Sequence, residues 1–153
     1  MALILHLRKW LDAPIHEPAC GDGAIARVLS RFGLTVIATD LVDRGYGWTG
    51  IDFLKVPPMA PIVITNPPFR LAEEFIAHAV TGARLVALLL KSDFWHAARR
   101  IALHDRFPPA QELVVTWRLD WTGQKRPMMN TTWWVWGDVP KGQWLLPHPG
   151  VFA

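Results

Sequence analysis

The sequence predicts the α/β class, with helices laid on the faces of a β-sheet, and three observations lead there. Short apolar runs rich in β-branched residues, such as Ile62-Val63-Ile64 and Leu85 to Leu90, alternate with segments whose apolar residues recur at helical spacing. A glycine-containing stretch, Gly21-Asp22-Gly23, falls between the first such run and the helical segment that follows it. With 153 residues, 51% apolar and 19% charged, the chain can bury one sizeable core, and no linker divides it. It therefore reads as a single domain over 1–153, without internal repeats or low-complexity tracts.

The elements follow in order. Leu3, Ile4, Leu7 and Leu11 share a face of a helix predicted over 3–11, which Asp12-Ala13-Pro14 ends. Ile15-His16-Glu17 is a brief first strand. Ala24 to Phe32 is helical, with Ile25, Val28, Leu29 and Phe32 on one side and Gly33 as the natural stop. Leu34 to Ala38 is the second strand, ended by Thr39-Asp40. A glycine-rich loop, Asp43 to Gly50, leads to Ile51-Asp52-Phe53-Leu54, read as a short third strand. Pro57, Pro58 and Pro61 forbid a helix after it.

Pro61 to Ile64 is the fourth strand. Leu71 to Val80 is a helix carrying Glu73 and Glu74 in its first turn, where the dipole favours them. Arg84 to Leu90 is a buried fifth strand, and Phe94 to Phe107 a basic helix stopped by Pro108-Pro109. Glu112 to Leu119 and Thr132 to Trp136 are the last strands, separated by the polar loop Asp120 to Thr131. The Pro/Gly-rich tail over 138–153 reads as loop or meander, available as an arm on a partner.

Composition narrows the function classes. A net charge of +3 and a pI near 9.4 permit a phosphate-bearing partner without requiring one. No apolar run is long enough to span a bilayer. Met1 to Leu11 is interrupted by His6, Arg8 and Lys9 and has no small-residue cleavage site after it, so it reads as an amphipathic helix and not a signal peptide. One cysteine excludes a disulfide framework and a cysteine-based metal site and fits a reducing, cytoplasmic setting. Nine tryptophans are unusual, and Trp117, Trp121, Trp133, Trp134, Trp136 and Trp144 crowd the C-terminal part. Large flat rings there suit either a core or a stacking platform.

The chemistry concentrates in two stretches. In Thr65-Asn66-Pro67-Pro68-Phe69, consecutive prolines fix φ and remove two backbone donors, leaving a stiff corner whose carbonyls face outward. An amide precedes the corner and an aromatic ring follows it. That arrangement can hold a flat amino-bearing group by its hydrogens while the ring covers its face. In Glu17-Pro18-Ala19-Cys20-Gly21-Asp22-Gly23, glycines let backbone N–H groups approach a ligand at a helix N-terminus. Gly21, Gly23 and Ala26 satisfy a loose G-x-G-x-x-A, so a dinucleotide site competes. Glu17 decides against it, because a carboxylate there would repel a pyrophosphate but pair with a ligand ammonium. Asp40 is placed to accept both hydroxyls of a ribose. Asp52 and Phe53 are placed to accept from an adenine amino group and to lie against its face. An amino acid, a ribose and an adenine in that order describe S-adenosylmethionine. A lone carboxylate at a strand end is usually just solvated; three at successive strand ends around a glycine loop weaken that blander reading. Cys20 reads as a small loop filler.

Together these residues resemble class I S-adenosylmethionine-dependent methyltransferases. More narrowly they are similar to the amino-directed nucleic-acid methyltransferases with an Asn-Pro-Pro-aromatic signature. The cofactor motif preceding the catalytic motif is the order of the γ-type adenine enzymes. The wording Glu17 to Ala24, Ala38-Thr39-Asp40-Leu41, Ile51 to Leu54 and Thr65 to Phe69 is similar to short phage and prophage enzymes. The likeness covers about 14–137. It implies a Rossmann-like, seven-stranded, mostly parallel sheet with the last strand antiparallel, reduced helices and no separate target-recognition domain.

It also implies cofactor contacts at Glu17, Pro18, Ala19, Gly21, Gly23, Asp40, Leu41, Asp52, Phe53 and Asn66. Asn66, Pro67, Pro68 and Phe69 become the target site, with adenine N6 in DNA favoured, the base flipped out or single-stranded. Trp121 would cover the other face of the base, and Lys91, Arg99, Arg100, Arg118, Lys125 and Arg126 would meet phosphates. Two departures stand out: Glu17-Pro18 replaces the usual leading aromatic of the first motif, and no recognition domain is evident. RNA adenine is one alternative target. A protein glutamine amide is another, although enzymes of that kind carry a tyrosine where this chain has Phe69, and an extra N-terminal domain. The third alternative is a cofactor-binding subunit that needs a second subunit, or a homodimer, for target recognition.

Overall fold

The structure, a computed structural model, describes residues 1–119 and 129–148. Its strands in chain order are β1 (Ile15–Glu17), β2 (Val36–Ala38), β3 (Ile62–Thr65), β4 (Leu85–Lys91), β5 (Gln111–Val115), β6 (Thr131–Gly137) and β7 (Gly142–Leu146). They form one seven-stranded sheet in the order β2-β1-β3-β4-β6-β5-β7. Four helices accompany it among the described residues: α1 (Ala2–Leu7), α2 (Ala24–Arg31), α3 (Ala72–Gly82) and α4 (Ile101–Arg106). This is the mostly parallel α/β architecture expected from the sequence. None of the described helices is long and apolar enough to cross a membrane.

Each face of the sheet carries its own core. Ile62 and Ile64 of β3 point with Leu85, Ala87 and Leu89 of β4 toward α1 and α2. Val63, Val86, Leu88 and Leu90 point with Trp134 and Trp136 toward Phe75 and Ile76 of α3. Strands β3 and β4 are buried on both sides, which is why they read as continuous apolar runs. The tryptophans of β6 are therefore core residues by simple alternation.

The structure corrects the sequence reading in several places. Residues 51–54 form a turn and no strand: the Asp52 carboxylate accepts the Leu54 N–H (3.1 Å), and the Lys55 N–H donates to the Asp52 carbonyl (2.9 Å). That local turn satisfies groups a strand would have offered to a neighbour. Among the described residues strand β2 consequently ends the sheet; beyond it the loop returns, with the Trp48 N–H donating to the Ala38 carbonyl (2.9 Å) and an isolated bridge joining Thr39 to Trp48. The helix expected over 94–107 begins only at a 3₁₀ turn, Ala98–Arg100, and continues as α4. Tight turns set by Phe94 N–H to Lys91 O and His96 N–H to Asp93 O occupy the preceding residues. Strand β5 stops at Val115 instead of Leu119.

The tail contributes an edge strand. β7 runs parallel to β5 from Gln111↔Gly142 to Val115↔Leu146, so it does not hang free as an arm. The Gln111 side chain donates to the Pro140 carbonyl (2.8 Å) and guides the chain into that register. The reversed strand is β6, the last strand expected from the sequence, paired antiparallel with both β4 and β5; β7 follows it as the unexpected addition.

Candidate active site

The parallel strands β1, β2 and β3 end side by side, so their C-terminal tips and the following turns share one edge. Ligands of open α/β sheets bind in the crevice outside such tips. Glu17 ends β1, Asp40 follows β2 and Asn66 follows β3. Sequence reasoning singled out all three, and the topology brings them to the same edge.

Between β1 and α2 the glycine loop takes a backbone shape that needs glycine at two positions. Gly21 and Gly23 have φ of +55° and +86°, the left-handed region that glycine enters at little cost. The Gly21 N–H donates to one Asp40 oxygen (2.8 Å) and the Val42 N–H to the other (2.9 Å). A carboxylate has about four acceptor positions, so Asp40 fixes the loop and keeps capacity for further hydroxyl donors. Leu41, beside it, is 58% exposed.

Glu17 is 1% exposed, yet its Oε2 has no hydrogen-bond partner. Burial pushes its carboxyl up to about 8; the Ala26 N–H opposes the shift, and Asp22 and Asp40 add to it. Pro18 is buried and Ala19 half-buried behind it. On the opposite face of β1, His16 pins the same tip. The Met59 N–H donates to Nδ1 (3.2 Å), leaving Nε2 to donate to Thr39 Oγ1 (2.9 Å), and burial lowers the imidazole to about 4. Cys20 is buried with its thiol raised to about 11, first by burial and then by Glu17 and Asp40, which suits a loop filler and no nucleophile.

Tyr46 was missed by sequence reasoning. Its ring lies on Gly23 so closely that a Cβ there would fall 2.6 Å from Cγ and Cδ1. The Arg27 guanidinium covers the ring at 4.4 Å from its centroid. The loop 43–50 thus clasps the glycine loop. The available signal was a lone tyrosine inside a glycine-rich connector. Phe53 goes the other way: at 2% exposure it packs against His16, Phe75 and His78, so its ring is core and presents no face to an adenine. Asp52 is half-buried and paired with Lys55 (3.2 Å).

At the tip of β3, Pro67 is buried, and the Pro68 carbonyl accepts the Leu71 N–H (2.9 Å). This turn lifts Phe69 to 37% exposure at the start of a 3₁₀ turn into α3. The Asn66 Oδ1 is buried without a partner. The Lys91 ammonium, at the tip of β4, sits 5.6 Å from the centre of the Phe69 ring. Arg99 and Arg100 instead converge on Glu73 (3.2 and 2.8 Å) and serve α3, not a free phosphate site. Arg118 is exposed and donates to Asn130 Oδ1 (3.2 Å). Trp121, Lys125 and Arg126 lie outside the described residues. Among the described residues, no group of three or more His, Cys, Asp or Glu side chains could hold a metal ion.

No family model and no curated protein matches the chain. Solved structures do. A protein assigned as an RNA methyltransferase from Pyrococcus horikoshii superposes with a TM-score of 0.68 at 17% identity, over 90% of this chain and 80% of that one. A modification subunit assigned to a type I restriction enzyme of Vibrio vulnificus gives 0.65 at 9% identity, over 97% of this chain and 46% of that one. The Burkholderia thailandensis 1,6-didemethyltoxoflavin-N1-methyltransferase, solved with S-adenosylhomocysteine, gives 0.60 at 11% identity, over 88% of this chain and 74% of that one. The fold is that of the Rossmann-like methyltransferases.

Proposed function

We propose that the chain is an S-adenosylmethionine-dependent methyltransferase acting on an exocyclic amino nitrogen, with adenine N6 in DNA as the target. One observation carries the reading. Neighbouring strand tips each hold a buried side-chain oxygen without a partner, Glu17 Oε2 and Asn66 Oδ1, at the sheet edge that the glycine loop and the diproline corner share. Buried polar atoms without partners are rare and call for an explanation. A cofactor carrying an ammonium and a separate acceptor carrying the reacting amine would together supply both missing donors.

The residues present fit the cofactor. Glu17 would take the ammonium of its amino-acid part, Asp40 the ribose hydroxyls, and the exposed Leu41 a face of the adenine. The Asp52 carboxylate, already turned toward its own loop, is the remaining acceptor near that end. When bound, S-adenosylmethionine supplies an electrophilic methyl group. The protein's task is then alignment and polarisation. An amine on adenine is a poor nucleophile because its lone pair is delocalised into the ring. Accepting its hydrogens at Asn66 Oδ1 and the Pro67 carbonyl pulls the nitrogen toward tetrahedral geometry and frees that pair. Asn66 stays neutral; the surplus proton leaves to water.

Phe69 stacks on the target base, which must be flipped out or already unpaired, and stacking of about 1–3 kcal/mol offsets much of the unstacking cost. Lys91, beside that ring, is positioned for the adjoining phosphate and favours a nucleic acid over a protein amide. A second copy of the chain or an accessory subunit would take part in reading sequence. A single, buried thiol is compatible with a cytoplasmic setting. The deciding experiment incubates the protein with methyl-labelled cofactor and, separately, single-stranded DNA, duplex DNA, RNA and cell-protein extract. Label on DNA adenine N6 is the expected result. Label in RNA or only in protein would replace the target, and label nowhere despite cofactor binding would make the chain a subunit that needs a partner.

A further inference from the structure

We propose that binding of S-adenosylmethionine expels one proton from the protein, because the buried Glu17 carboxyl is neutral in the free chain and ionises only against the ligand's ammonium. This rests on the proposed cofactor reading and concerns how that same site takes its ligand. The geometry is the first support. Glu17 is 1% exposed at the tip of β1, beneath the glycine loop, with Oε2 unpartnered. Among the described residues the ionisable groups that bear on it are acidic: Asp22 and Cys20 from the loop, and Asp40 from beyond β2. The exposed Arg27, bonded to the Asp22 carbonyl, and Arg44, beside Gly21, lie against that loop without pairing with Glu17. From α2 it receives the Ala26 N–H, and β3, paired alongside β1, ends in Thr65 before Asn66, neither of which ionises. No basic side chain among the described residues pairs with it. A lone buried carboxylate facing two other carboxylates is costly, and the group relieves that cost by holding its proton. Burial raises its pKa to about 8.

An arriving ammonium reverses the balance. It donates to Oε2, supplies the missing opposite charge and drives the carboxyl to its ionised form. The O–H bond of the acid breaks, the proton passes to solvent, and a charge-assisted hydrogen bond replaces it. The free protein thereby avoids an uncompensated buried charge, and the ionised form exists only when the ligand is in place. A carboxyl that titrates near 8 is about nine-tenths protonated at pH 7, so about 0.9 proton should leave the protein per ligand bound. The ligand's own amino group, with an ordinary pKa of about 7.7–8.0, takes up about 0.1–0.2 proton at the same pH, leaving a net release of about 0.7–0.8. Affinity then rises with pH by about fivefold between pH 6.5 and 7.5, the ligand's loss of charge already blunting the gain in the upper half of that range.

Calorimetric titration of the full chain at pH 7.0, in buffers of differing ionisation enthalpy, counts the protons directly. S-adenosylmethionine and S-adenosylhomocysteine, which both carry the ammonium, should each release about 0.7–0.8. 5′-Methylthioadenosine, which lacks it, should bind with none released. In E17Q, which mimics the neutral acid, the release should vanish, and the affinity for S-adenosylmethionine should no longer rise from pH 6.5 to 7.5. Binding of S-adenosylmethionine without proton release overturns this inference and leaves the proposed function standing. Equal release with 5′-methylthioadenosine, or undiminished release in E17Q, overturns it as well. If none of the three ligands binds, the proposed function fails and takes the inference with it. Should E17Q not fold, the three-ligand comparison on the wild-type chain decides alone.

Discussion

Replacing Gly23 by alanine tests the clasp between the glycine loop and Tyr46. Two separable penalties apply. The backbone at φ +86° is left-handed, which costs a residue with a Cβ about 1–2 kcal/mol. The new methyl would also lie 2.6 Å from Cγ and Cδ1 and 2.8 Å from Cδ2 of the Tyr46 ring, well inside contact distance. Arg27 stacks on that ring and resists its withdrawal. Overpacking of this kind costs about 1–3 kcal/mol. The total, about 2–5 kcal/mol, is a large share of the roughly 5–15 kcal/mol that holds a typical domain together. In a Tyr46→Ala background the steric part disappears and only the backbone part remains. Urea unfolding followed by tryptophan fluorescence, on wild type, both single variants and the double variant, gives the four stabilities. A coupling of about 1–3 kcal/mol is expected, outside the ~0.5 kcal/mol within which independent sites add. If Gly23→Ala destabilised both backgrounds equally, the ring would not be packed on the glycine and the clasp would be refuted.

Three further outcomes are expected. Asn66→Ala should abolish methyl transfer while sparing cofactor binding, since the amide's main task is to polarise the acceptor amine; transfer at the wild-type rate would remove Asn66 from the mechanism. Phe69→Ala should weaken binding of a single-stranded oligonucleotide by the ~1–3 kcal/mol typical of one stacking contact, read by fluorescence anisotropy at fixed salt, and an unchanged affinity would detach Phe69 from the base. The imidazole of His16 should contribute acid sensitivity. Its pKa falls from 6.5 to about 4 on folding, so this group's share of the stability drops as pH falls from about 6.5 to 4, by up to ~3 kcal/mol. Glu17, raised from 4.5 to about 8, contributes the opposite slope between those two values, so the wild-type curve should be nearly flat from about pH 4.5 to 6.5 and His16→Gln should make stability rise on acidification there; an unchanged curve would remove His16 from that balance.

The correct and incorrect parts of the sequence reading divide along a physical line. Strands β3 and β4 were legible because burial on both faces leaves runs of Ile, Val and Leu that nothing else explains. The diproline corner was legible because proline restricts the backbone wherever it occurs, and the glycine loop because φ of +55° and +86° demands residues without side chains. Residues 51–54 were misread as a strand: Ile51-Asp52-Phe53-Leu54 has the composition of one, but Asp52 can close a turn on its own backbone and does. Phe53 followed from that error, since the turn sends its ring inward to His16 and Phe75.

Strand β7 was hidden for a different reason. Gln143 to Leu145 of β7 are half-buried or exposed, so edge position erased the apolar pattern, and only pairing with β5 makes the segment a strand. The class of fold, the stiff corner at Asn66 and the glycine loop after Glu17 are readable from the residues alone, because each is dictated by local backbone chemistry or by a residue's own hydrophobicity. That Glu17 and Asn66 hold buried oxygens without partners, and that Tyr46 closes on Gly23, emerges from packing between distant segments. Desolvation and missing partners belong to what surrounds a side chain, and those surroundings come from residues far away in the chain.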